Sequence, residues 1–114
     1  MPVLKLFYDE SLDKVVREHS QSLVTELAEL LRHHLRAEPE KCQIMLLPVA
    51  YMSPLPVYID LQFRANEHRS CEVLTNAMQA IAGTVGQSCG TGLRIRAFDI
   101  DQAGLHALDR EAPE

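Results

Sequence analysis

Two kinds of residue in this chain carry chemistry: a proline directly after the initiator methionine, and a set of scattered arginines. With Met1 removed, as a small second residue favours, the chain begins on Pro2. Its nitrogen is then a secondary amine in a fixed ring, with a basic lone pair and no carbonyl attached. A group that takes a proton in one step and returns it in the next works best with a pKa near the working pH. A free proline amine in water is too basic for that. Burial in an apolar pocket, or a nearby cation, disfavours the charged form and lowers the pKa. Leu4 and Leu6, on Pro2's side of a strand by alternation, would form part of an apolar wall. Arg64, Arg94 and Arg96 are the candidate cations; arginine also pairs with carboxylates bidentately and stabilises an oxyanion as it develops. Each residue has a plainer explanation when taken alone. Proline at position two is common. Arg94 and Arg96 equally suit a solvated strand edge or salt bridges between subunits, and Arg64 can act through its backbone amide. Arg36 reads as a charge placed at a helix C-terminus, with substrate contact the less favoured role.

Other reactive side chains point away from metal chemistry. His33 and His34 are helix neighbours facing different directions, and neither they nor His19 have a carboxylate or cysteine spaced to complete a site. They are expected on the helix surface, with no metal bound. Nothing places His106 at a pocket. Cys42, Cys71 and Cys89 are odd in number and far apart, which reads as reduced thiols in a cytoplasmic protein, Cys71 belonging to the core. The formal charge of -5 argues against general affinity for nucleic acid. No stretch is long and apolar enough to span a membrane, and residues 3–7 are too short, and broken by Lys5, for a signal peptide.

The elements that must position these groups are legible from periodicity. Residues 3–8 read as a strand, ended by the helix-start chemistry of Asp9, Glu10 and Ser11. Leu12, Val15, Val16, His19, Leu23, Leu27, Leu30, Leu31 and Leu35 recur at three- and four-residue steps, one stripe on a long helix stopped by Pro39. Residues 42–50 are nearly all apolar and read as a strand buried on both faces, with Pro48 near its end or at a bulge. Tyr51 to Pro56 form a loop. In residues 57–64, Val57, Ile59, Leu61 and Phe63 alternate with Tyr58, Asp60, Gln62 and Arg64, giving a strand with one packed face. A second helix carries Cys71, Leu74, Met78, Ile81, Ala82 and Val85, loosened and ended by Gly83, Gly86 and Gly90. Residues 93–100 form a last strand with Arg94 and Arg96 on its polar face. The order β-α-β, loop, β-α-β predicts an α+β fold in one domain: two βαβ units (residues 2–51 and 57–101) and a tail (102–114). They build a four-stranded mixed sheet with two helices on one face. The other face would be bare in a monomer, so an oligomer is expected.

Pro2 opening the first strand of this doubled unit resembles the tautomerase superfamily. Residues 58–64, leading into Arg69-Ser70, and the last strand from Leu93 to Gln102 are most similar to 5-carboxymethyl-2-hydroxymuconate isomerase. The resemblance implies a homotrimer with active sites between subunits and no metal or organic cofactor. It further implies Pro2 as general base and then general acid, acting on a small 2-hydroxy-dienoate or enol-pyruvate carboxylate held by arginine or lysine. Two departures qualify it. The 4-oxalocrotonate tautomerases place arginines where this chain has Leu12 and Gln43. The branch of macrophage migration inhibitory factor has a lysine not evident here, and a tyrosine and asparagine where this chain has Arg94 and Arg96. The competing reading is a non-catalytic oligomeric binding module on the same or a ferredoxin-like scaffold.

Overall fold

The computed structural model describes residues 2–113, with nothing to add on the side chain of Gln102; Met1, whose removal is expected from its small neighbour, and Glu114 lie outside the described residues. Strand β1 (Val3–Asp9) leads through a 3-10 turn at Glu10–Leu12 into helices α1 (Asp13–Glu18) and α2 (Ser20–Leu35). Strands β2 (Gln43–Val49) and β3 (Val57–Arg64), helix α3 (Cys71–Cys89) and strand β4 (Arg94–Ile100) follow. The sheet order is β2-β1-β3-β4, with β1 parallel to β2, β3 parallel to β4, and the central pair antiparallel. Two βαβ units side by side therefore make the four-stranded mixed sheet that the alternation predicts.

One face of that sheet carries the core. Leu4, Leu6 and Tyr8 of β1 and Val57, Ile59, Leu61 and Phe63 of β3 are buried, and they meet Leu23, Leu27, Leu31 and Leu35 of α2 and Ala77, Ile81 and Val85 of α3. The other face has no helix. In register across it run Met45, Lys5, Asp60 and Arg96, then Leu47, Phe7, Tyr58 and Arg94. The Phe7 and Tyr58 rings lie 6.3 Å apart there, and Phe98 is 47% exposed.

Three expectations need correction. The first helix is not continuous: it breaks at His19 (φ -108°, ψ 11°). Around that point the His19 ring Nδ1 lies 2.9 Å from the Val15 carbonyl, and Ser20 and Ser22 hydroxyls donate to the carbonyls of Arg17 and His19. Such side-chain bonds compete with the helical ladder. Strand β2 is not buried on both faces; it is an edge strand, half-buried along its middle. Its apolar run belongs to an edge with one uncovered face. This also accounts for Pro48. The Gln43 amide donates inward, to the Pro2 carbonyl at 3.0 Å. Alternation then turns positions 45, 47 and 49 inward and positions 44, 46 and 48 outward, so Pro48 costs the ladder no bond. Finally, Cys71 is exposed at the start of α3, and it is Cys89 at the other end that is buried. Gly83 and Gly86 sit within α3, which runs on to Gly90, a left-handed cap at φ 68°.

Candidate active site

Pro2 is buried at the head of β1 and continues the inward phase of Leu4, Leu6 and Tyr8. It lines a recess of about 210 Å³ with Arg36, Ala37, Glu38, Lys41 and Arg69. Each wall has a local cause. Helix α2 ends at Arg36, whose backbone is left-handed (φ 54°, ψ 39°) and turns the chain back over the head of β1. The last carbonyls of α2 would be orphaned by that turn. Two successive side chains of the β3–α3 loop meet them. The His68 ring lies 3.0 Å from the His34 carbonyl. Arg69 donates from Nε and Nη2 to the Leu35 carbonyl at 3.2 and 3.1 Å, and from Nη1 to the Arg64 carbonyl at 2.7 Å. Arg69 thus ties the end of α2 to the end of β3 beside Pro2. Partial burial pulls its guanidinium pKa down from the usual arginine value. The 3-10 turn at Pro39–Lys41 closes the recess, with Lys41 3.4 Å from Glu38.

The arginines singled out in the sequence fall in two places. Arg64 lies at the Pro2 end of the sheet, two residues beyond the Val3–Gln62 pair, and its Nε is buried without a partner among the described residues. Arg94 and Arg96 are elsewhere. Both are exposed on the uncovered face, lining a recess of about 280 Å³ with residues of the β2–β3 loop, among them Pro54, and with Tyr58 of β3. Arg94 is in register with Tyr58 and Phe7, which puts it roughly 16 Å along β1 from Pro2 at ~3.3 Å per residue. Within one subunit the sheet separates these two arginines from the proline. Between them Asp60 lies in register with Lys5 and Arg96, its Oδ1 buried and unpartnered among the described residues.

The Pro2 recess contains residues that spacing alone does not nominate. Arg36 is visible in the sequence as a helix-end charge, but nothing there says that the helix ends in a left-handed turn. Lys41 and Arg69 are ordinary loop cations until the folded chain brings them to one strand head. Among the described residues no group of three or more histidine, cysteine, aspartate or glutamate side chains is placed to hold a metal, and no helix is long and apolar enough to cross a membrane.

This architecture, with a proline heading the first of two central antiparallel strands, is a tautomerase-type fold. No family model and no curated protein matches the sequence. Solved structures do match in shape. Native fused 4-OT superposes with a TM-score of 0.76 at 15% identity, over 92% of this chain and 91% of that one. N1, a member of the cis-3-chloroacrylic acid dehalogenase family, gives 0.76 at 14%, over 98% and 84%. Pt0534 inactivated by 2-oxo-3-pentynoate gives 0.73 at 20%, over 92% and 90%. Other fused 4-OT structures of the same shape are symmetric and asymmetric trimers.

Proposed function

We propose that this protein is a cofactor-independent tautomerase or isomerase that moves a proton in a 2-hydroxy-dienoate or enol-pyruvate carboxylate, with the Pro2 amine as base and then acid. The observation that carries the reading is the burial of Pro2 at the head of a central strand, beside a recess lined by Arg36, Lys41 and Arg69. Burial and neighbouring positive charge both lower an amine pKa, so the neutral amine would be available near neutral pH. In the forward step the Pro2 nitrogen takes the proton from the enol oxygen or from carbon. Negative charge then delocalises over the conjugated oxygen and is met by arginine donors. The resulting ammonium returns the proton to carbon and restores the free amine.

Arg64 stands at the Pro2 end of the same subunit. Arg94 and Arg96 would serve the Pro2 site of a neighbouring copy, since their own lies across the sheet. A homotrimer in which the uncovered face of one subunit lies against the Pro2 edge of the next would bring them together. The trimeric state of fused 4-OT neighbours of the same fold supports a homo-oligomer.

The test is ketonisation of phenylenolpyruvate or 2-hydroxymuconate by wild type and Pro2→Ala, alongside intact mass. The expected outcome is a mass without Met1 and a loss of about 100-fold or more in kcat/KM, the scale of an acid–base group. Equal rates for the two proteins would remove Pro2 from the reaction.

A further inference from the structure

Arg36 occupies a backbone conformation that does not suit it. At φ 54° it is the one non-glycine residue with positive φ among the described residues. The left-handed region brings Cβ against the following carbonyl, and helix ends of this kind are usually given to glycine or asparagine. The corresponding end of α3 follows that rule with Gly90 at φ 68°. A non-glycine residue held in a disfavoured conformation at a pocket points to a role for its side chain. A plain helix-end charge does not need that position, because Arg32 already supplies positive charge in the last turn of α2.

The recess itself says which role. Of its three cations, Arg69 spends its donors on the Leu35 and Arg64 carbonyls, and Lys41 faces Glu38 at 3.4 Å. Arg36 enters none of the salt bridges among the described residues, and it shares the recess with buried Pro2. Arg69 fixes the carbonyl of the residue immediately before Arg36, and so holds the turn from which the Arg36 side chain departs.

We infer that Arg36 is the carboxylate-binding residue supplied by Pro2's own subunit, with Arg69 as its positioning residue. The substrate is accordingly a carboxylate small enough for its acid group to meet Arg36 while its reacting carbon meets Pro2 in the same recess. The inference rests on the reading of Pro2 as a free amine, and its test separates the two.

The probe is 2-oxo-3-pentynoate, compared with 3-pentyn-2-one, which has the same electrophile and no carboxylate. In each case the Pro2 nitrogen adds to the distal alkyne carbon. One carbon–carbon π bond opens, and the N–H proton passes to the adjacent carbon. Labelling of the amino-terminal peptide is followed by mass at increasing reagent for wild type, Arg36→Gly and Arg36→Lys. Arg36→Gly should raise the half-saturating concentration of 2-oxo-3-pentynoate about 10-fold or more, the worth of one charge-assisted contact. It should leave 3-pentyn-2-one labelling within about twofold and should not lower the melting temperature, because glycine accepts the left-handed turn. Arg36→Lys should fall between. Half-saturation unchanged in Arg36→Gly, with Pro2 still labelled, would overturn the role of Arg36 and leave the amine intact. Failure of both reagents to label wild-type Pro2 would overturn the amine and the inference together.

Discussion

The Tyr8 hydroxyl shows how one buried group ties stability to pH. It donates to Asp13 Oδ1 at 2.7 Å, and Asp13 in turn pairs with Arg17. Burial, and then the hydrogen bond to Asp13, push the phenol up to about 12, while the bonds from Tyr8 and Arg17 hold the Asp13 carboxyl below the usual carboxylate range. The signs are opposite for the two groups. An unfolded phenol loses its proton near 10, so the Tyr8 contribution is whole below that pH and is lost as pH climbs towards 12. The Asp13 contribution is whole above the unfolded carboxylate pKa and is lost as pH falls through its lowered folded value. Urea denaturation of Tyr8→Phe should give a flatter stability curve between about pH 10 and 12 than wild type. An equally steep curve would show that other groups dominate the alkaline limb. The alternation of residues 3–8 places Tyr8 on the inward face. It does not foretell Asp13 as the hydroxyl's partner, because that contact depends on how tightly the chain turns through Glu10–Leu12.

At the scale of elements, helix α3 holds glycines in two different situations. Gly83 is exposed within the helix, and a methyl group added to its Cα would meet nothing within 4 Å, so Gly83→Ala has room. It should stabilise the protein by about 1 kcal/mol through helix propensity. Gly90 also has open space but sits at φ 68°. Gly90→Ala should destabilise by about 1 kcal/mol through the left-handed backbone alone. Thermal unfolding of the pair checks this, and shifts of the same sign would refute it. Helix positions were the most legible part of the sequence: the stripe from Leu23 to Leu35 is the buried face of α2. The break at His19 was not. The stripe passes through it undisturbed, and the side-chain bonds of Ser20 and Ser22 that accompany it have no periodic signature. The candidate site was less legible than the fold for a similar reason. Pro2 declares itself by its place in the chain, whereas Arg36, Lys41 and Arg69 converge only through the geometry of two helix ends and two loops.

At the scale of the whole molecule, the uncovered sheet face sets the expected behaviour. Leu47, Phe7 and Tyr58 lie side by side on it, and an apolar row of this kind is normally covered. Leu47→Arg should reduce the sedimentation coefficient from that of an assembly to that of the 12.8 kDa chain. An unchanged coefficient would place the contact elsewhere. The apolar run of β2 predicted burial on both faces, but periodicity could not tell a strand at the sheet's centre from one at its margin. That margin has its own consequence. An open strand edge normally acts as a template on which further chains can grow without limit, and fibrils begin in this way. Pro48 removes one of the outward donors that such growth would use. With Pro48 there, the β2 edge is a poorer template for such growth than its apolar sequence alone would make it.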